Sequence, residues 1–279
     1  MLRQRDIQRR FDRAAASFDS SDFVHEVTRA GLATRLEPLL LEPATILDLG
    51  SATGAAGRLL RRRFKRAHIV SLDLSQSMLR QAKKHKTWFS RMSFVQGDAN
   101  HLPFADASFD MIIANQLLPW APELQPVFGE VARVLVPGGV FAFSTLGPDS
   151  RREIARAWAH VDSGVHVNGF ADMHDIGDRL VGAGLRDPVL DVDRLCISYK
   201  SADKLFADLT QTGARNALRD RAGGLTGRRS FAAMTAALAN IQGKISLDLE
   251  LVYGHCWGAG PRNDPANYRI DAKHIPRRR

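Results

Sequence analysis

An acid that closes an apolar run, with three glycines behind it, is the first arrangement in this chain that could do chemistry. Residues 46–57 read ILDLGSATGAAG, so Asp48 lies at the end of a strand-like run and Gly50, Gly54 and Gly57 follow. Glycine lets a backbone come close to a ligand, and a helix opening after such a turn presents unpaired N–H groups. The spacing is G-x-x-x-G-x-x-G, which differs from the G-x-G-x-x-G of the dinucleotide fingerprint. A second acid, Asp73, ends VSLD, 23 positions after Gly50. A carboxylate placed there, at the end of a second strand, accepts bonds from the two hydroxyls of a ribose. Its other reading is as a cap on the next helix, but Ser75 already fills that position. The pair points to a nucleoside-bearing ligand.

The surrounding sequence supplies elements that would hold these residues. TILDLG (45–50), HIVSLDL (68–74), MSFVQGD (92–98), FDMIIAN (109–115) and VFAFSTL (140–146) read as strands. Between them, AAGRLLRRRF (55–64), QSMLRQAKKH (76–85) and PELQPVFGEVARVL (122–135) carry helix patterning, and VPGGV (136–140) reads as a stop between helix and strand. Such alternation predicts a parallel sheet with helices on both faces. Its ligand belongs beyond the carboxyl ends of the strands, in the loops after Gly50, Asp73, Gly97 and Ala114.

Two stretches break the pattern. Residues 1–43 and 201–243 both read as helical, the second lying between late strands at 187–199 and 245–257. We expect an N-terminal helical lid segment over 1–43 and a domain over 44–257 whose insert at 201–243 also covers the pocket. A basic tail, extended or partly disordered, is expected over 258–279, where Gly, Pro and Arg dominate. Asp172 and Asp175 read as N-cap and third-position acids of a further helix, with His174 on its face.

Bulk properties narrow the class. The 279 residues are 44% hydrophobic and 25% charged, the composition of an ordinary globular protein. No apolar run approaches the ~20 residues needed to span a bilayer. MLRQRDIQRRFDR has charge but no apolar core behind it, so a secretory signal is not expected and a cytoplasmic address is. Cys196 and Cys256 are far apart, which suggests neither a disulfide framework nor a cysteine metal site, and no metal is expected. A net charge of +9, concentrated in RRRFKR (61–66) and PRRR (276–279), favours an acidic partner or simply a solvated face.

Taken in order, the motifs carry a resemblance. D-x-G-x-(G/A)-x-G, an acid ending strand two, GDA after strand three, then LPF.D.SFD and PGG is the pattern of S-adenosylmethionine-dependent methyltransferases. Here it stands as Asp48–Gly54, Asp73, QGDANHLPFADASFD (96–110) and VPGG (136–139), covering roughly residues 44–147. Ala52 stands where the family has its middle glycine. The resemblance implies a doubly wound, mostly parallel, seven-stranded Rossmann-like α/β sheet with helical lid elements, binding S-adenosyl-L-methionine. It implies Asp48, Gly50, Ser51 and Gly54 as cofactor-binding residues, the last three approaching the methionine part, with Asp73 on the ribose. Asp98 would accept from the adenine amino group beside the Ala99 N–H, and Leu74 and Met78 would flank the ring. Asn115 would face the reacting centre, its other reading being a strand-end turn.

RRFDRAAASFDSSDFVHEVTRAGL (9–32) and the stretch 143–188, with GPDSRRE and HVN…DMHD, resemble one subgroup. Its members methylate the free carboxylate of malonyl carried on the phosphopantetheine arm of acyl carrier protein, in biotin synthesis. The implied partner is therefore that malonyl-carrier protein, with neither nucleic acid nor membrane. Phe18 departs from the subgroup, which has Tyr in this FD pair. Arg152 is the candidate donor to the acceptor carboxylate, with His166 and Asn168 behind it, although Arg152 also reads as a surface cation in a first helical turn. Trp120 reads equally as pocket wall or core. Two other readings stay open: a relative of the complex I assembly factor that hydroxylates an arginine, and a cofactor-binding protein without catalysis. Nucleic-acid methylation ranks last, because ANQLLPW stands where N-P-P-(Y/F) would follow strand four.

Overall fold

The computed structural model describes residues 2–87, 90–218, 226–239 and 244–259. Its centre is a seven-stranded sheet of order β3-β2-β1-β4-β5-β7-β6. The strands are β1 (Thr45–Leu49), β2 (His68–Asp73), β3 (Met92–Gln96), β4 (Phe109–Asn115), β5 (Leu135–Leu146), β6 (Leu185–Tyr199) and β7 (Ile245–Gly258). β1 lies parallel between β2 and β4, whereas β7 runs antiparallel to both β5 and β6.

A strand covered on both faces can be apolar at consecutive positions, and β1 is. Ile46 packs into a core with Leu32, Ile69, Met111 and Tyr253 on one face. Leu47, pointing the other way, joins Leu72, Ile112, Phe128 and Phe141 on the other face. The crossovers are α3 (Ala55–Arg63), α4 (Gln76–Lys84) and α5 (Leu124–Val134). α4 starts where expected, with Ser75 Oγ accepting the Met78 N–H at 3.1 Å.

β5 differs from the sequence expectation. VPGG lies inside its irregular start rather than before it: Leu135 already pairs with Phe109, and the register shifts before Met111 meets Val140. Gly138, at φ 73°, supplies the left-handed turn that this bulge needs.

The helical additions are α1 (Gln4–Ala14) and α2 (Phe23–Leu36) before the sheet, and α6 (Arg152–Ala159) and α7 (Met173–Gly182) after β5. Between β6 and β7 come α8 (Ala202–Gln211) and α9 (Arg228–Leu238). Asp172 caps α7 by accepting the His174 N–H at 2.8 Å, as its position suggested. β7 runs on to Gly258, and the rest of the expected tail, PRRR included, lies outside the described residues.

Candidate functional site

The carboxyl ends of β1, β2, β3 and β4 surround a cleft of about 790 Å³ counted with its open mouth. The strand-end loops contribute Gly50, Ala52, Asp73, Leu74, Asp98, Ala99 and Asn115 to its lining. The opposite wall comes from the N-terminal segment, through Gln4, Ile7, Phe11, Phe18 and His25.

Backbone geometry shapes the first loop. Gly50 (φ 74°), Ala52 (φ 45°) and Gly54 (φ 78°) all take left-handed conformations. The Gly50 and Ser51 N–H groups both donate to the Leu72 carbonyl, at 2.8 and 2.9 Å. Ala52 N–H donates to Asp73 Oδ2 and Ser75 N–H to Asp73 Oδ1, each at 2.8 Å. Asp73 thus joins the β1 loop to the end of β2. A carboxylate has about four acceptor sites, so two bonds leave capacity facing the cleft. Burial pushes Asp73 up to about 6, against the lowering effect of the two backbone bonds. Ser51 Oγ is sealed from solvent and has no partner.

Four residues expected to bind the cofactor, Asp48, Ser51, Gly54 and Met78, do not line the cleft. Asp48 lies beneath the loop, where Oδ2 accepts the Gly57 N–H at 2.9 Å, and burial raises it to about 7. A side chain at Gly57 would bring its Cβ to 3.0 Å from that oxygen. Gly54 turns the chain into α3, and Met78 is buried behind the wall against Ala14, Ala15 and Phe18. Asp98 does face the cleft, but Gln4 of α1 donates to its Oδ2 at 2.6 Å, a contact no local motif announced. Asn115 is engaged at both ends of its amide, donating to the His25 carbonyl at 3.0 Å and accepting Ser144 Oγ at 2.8 Å.

Behind the cleft lies a second cavity, about 570 Å³ with its opening, which shares His25, Gln116 and Trp120 with it. Gln116 sits at φ 60°, so its turn is held in a conformation that non-glycine residues seldom adopt. Trp120 meets Phe11 edge-on, with ring centroids 5.0 Å apart. Phe18, with no hydroxyl to offer, packs its ring 4.9 Å from that of His25. Burial, aided by the cations of Arg29 and Arg151, pushes His25 down to about 4, so its ring is neutral near pH 7. Its Nδ1 is sealed and unpartnered.

The structure does not bring Arg152 to either cavity. It stands more than half exposed at the start of α6 and pairs with Asp149. The preceding residue, Arg151, takes φ 63° and its side chain lines the second cavity. Asn168 also lines it, with its Oδ1 accepting the Ala217 N–H at 3.0 Å. His166 lies further out, stacked on Trp158 at 3.9 Å and 2.7 Å from Asp162 Oδ1. It lines a third cavity, reached past Arg151 and Asn168, that also carries Arg10 and Arg215.

Among the described residues, no group of three or more His, Cys, Asp or Glu could hold a metal ion, and no helix is long and apolar enough to cross a membrane.

Comparison with known proteins agrees with this layout. A family model described as a methyltransferase domain matches residues 47–143. The chain is 37% identical to a malonyl-[acyl-carrier protein] O-methyltransferase of Halorhodospira halophila, over 99% of this chain and 96% of that protein. Among solved structures, the YcgJ protein of Bacillus subtilis superposes with a TM-score of 0.59 at 16% identity, over 82% of this chain and 98% of its own. Phosphoethanolamine N-methyltransferase 2 of Haemonchus contortus, solved with S-adenosyl-L-methionine, gives 0.50 at 16% identity, over 84% of this chain and 52% of that one. At these identities the structural likeness is one of fold.

Proposed function

The chain belongs to the malonyl-[acyl-carrier protein] O-methyltransferase family, and from that premise we propose that it methylates the free carboxylate of malonyl on acyl carrier protein. The donor is S-adenosyl-L-methionine, and the product is the methyl ester from which pimeloyl synthesis for biotin starts. The adjoining cavities carry this reading: two ligands entering separately would meet at the wall of His25, Gln116 and Trp120.

The cleft suits the donor chemically. Asp73 has acceptor capacity for ribose hydroxyls, and Asp98 for an adenine amino group once it shares or releases Gln4. Leu74 and Ala99 offer apolar surface beside them, and Gly50 and Ala52 bring the backbone near the methionine part. When bound, the donor supplies an electrophilic methyl group on a cationic sulfur. Phe18 and Trp120 line that cleft with rings, which attract a cation. A neutral His25 removes the one repulsive charge that the shared wall could carry.

The acceptor carboxylate, with a reference pKa of about 4, is ionised at neutral pH. No residue has to remove a proton, and this leaves the chain the tasks of orientation and water exclusion. Fixing two reactants in place is worth ~7–11 kcal/mol. Excluding water also strengthens the attraction between carboxylate and sulfonium. Residues 4–36 on one side, and α8 with the turn after it on the other, act as the lid that does this.

The test is direct. Incubated with methyl-labelled donor, the protein is expected to label malonyl-loaded carrier and to leave acetyl-loaded carrier unlabelled. Donor binding without any transfer would overturn the reading.

A further inference from the structure

We infer that Arg151, and not its neighbour Arg152, is the residue that receives the acceptor carboxylate and so makes the enzyme select a diacid acyl group. The inference rests on the acceptor proposed above and adds the group that recognises it.

Three observations carry it. First, among the described residues that line the second cavity, Arg151 is the only lysine or arginine. His25 is kept neutral there, and Asp208, the one carboxylate in the lining, is already held by Lys204 Nζ at 2.7 Å and by Ser21 Oγ at 3.2 Å. Second, the guanidinium has donors to spare. Nη1 donates to the Ala214 carbonyl at 2.7 Å, whereas Nε is sealed from solvent with no partner. No carboxylate lies within ion-pairing distance of it among the described residues, and burial lowers it to about 10 without removing its charge at neutral pH. A desolvated cation without a counter-ion is costly, and a carboxylate accepted by its planar fork removes that cost. Third, the backbone is bent to place it. Arg151 is held at φ 63°, ψ 25°, with its N–H on the Asp248 carbonyl at 2.9 Å. Left-handed strain at a non-glycine residue collects at functional sites. Here it turns one arginine of a pair toward the cavity while the next pairs with Asp149 outside.

The consequence is selectivity at both ends of the reaction. An acetyl group has no carboxylate to pair, and the methyl ester product has lost its charge, so both should bind more weakly than malonyl. Asn168 belongs to the same lining.

The experiment uses the full chain as wild type, Arg151→Met, Arg151→Lys and Arg152→Met. Each is assayed for label transfer to malonyl carrier, for inhibition by acetyl carrier and by the methyl ester product, and for donor affinity by calorimetry. Wild type is expected to prefer malonyl carrier over both inhibitors. Arg151→Met should lose about 100-fold in kcat/KM, the scale of truncating one partner of a buried charge pair, and should bind acetyl and malonyl carrier alike. Its donor affinity should stay near wild type, which reports an intact fold. Should Arg151→Met fail to bind donor, Arg151→Lys decides: it keeps the charge without the fork and should raise KM while sparing donor affinity. Wild type that transfers no label refutes the proposed reaction. Wild type that transfers label, with Arg151 variants keeping the malonyl preference or with Arg152→Met showing the larger loss, refutes this inference alone.

Discussion

The cleft at the ends of β1 to β4 and the cavity behind it share a wall, yet they are built by different means. The cleft is mostly backbone: left-handed turns at Gly50, Ala52 and Gly54, two N–H groups on one carbonyl, and one carboxylate joining two strand ends. The second cavity is mostly side chain, drawn from α2, the turn after β5, the end of β6 and α8. A site made by consecutive residues on a rigid sheet tolerates little change but needs few partners. A site assembled from distant helices can be re-shaped for another acceptor without disturbing the first. On the reading proposed above, donor chemistry belongs to the first kind of construction and acceptor choice to the second.

The sharpest way to break this division is at Asp73. Asp73→Ala removes the proposed acceptor for the ribose hydroxyls and unties the Ala52 and Ser75 N–H groups. Two charge-assisted bonds lost imply a donor affinity weaker by roughly 2–4 kcal/mol. Calorimetry is expected to show that loss, with carrier binding largely kept. Near-normal donor affinity would take Asp73 out of the site, and an equal loss of carrier binding would show that the two halves are not separable.

The same division explains what could be read without coordinates. The alternation of strands and helices and the tight first loop were legible because each depends on neighbours in sequence, where periodicity and glycine spacing speak directly. Met78 sits at the right spacing, but its side chain packs behind the wall, a fact set by Ala14, Ala15 and Phe18 more than fifty positions away in sequence. Asp48 sits in the motif, but its Oδ2 is occupied by the Gly57 N–H, so it braces the loop from below. Arg151 and Arg152 are the clearest case. Composition and spacing cannot distinguish adjacent arginines, yet Arg151, at φ 63°, lines the cavity while Arg152 pairs with Asp149 outside it. Gln4 and His25 carried no signal at all, since their roles come from helices folding back across the sheet.

Acidity offers a subtler separation. Asp73 is raised to about 6, and its ionised form is the better acceptor for hydroxyls. Donor affinity should therefore be flat above about pH 6 and fall by up to about tenfold for each unit below it. Asp73→Asn cannot titrate and should flatten the profile. Stability should not follow the same course. Asp48 and Asp73 are raised to about 7 and about 6 from 3.8, so below those values the native state takes up protons that the unfolded state does not, and acid favours folding. His25 is lowered from 6.5 to about 4, so its contribution is present above 6.5 and is lost as the pH falls toward 4. Near about pH 5 the three groups bind roughly two protons in the folded chain against one in the unfolded chain, a net gain on acidification. A thermal midpoint that drops in step with affinity would mean unfolding, and would remove Asp73 titration as the cause.

The smallest expected effect concerns how the two ligands arrive. α1, which walls the cleft through Gln4, Ile7 and Phe11, carries exposed arginines at Arg5, Arg9 and Arg13, with Arg3 just before it. Acyl carrier proteins are acidic, so this face should speed their encounter, and salt should screen it over a Debye length of about 8–10 Å. Raising salt is expected to increase KM for malonyl carrier by a few-fold. Donor affinity should barely change, because the partly enclosed acids of the cleft are screened far less than exposed arginines. Initial rates across a salt series, with calorimetry of the donor alongside, would show the two responses diverging. A KM that stays flat would assign the carrier's docking to apolar contact around the second cavity, and α1 would then serve the donor alone.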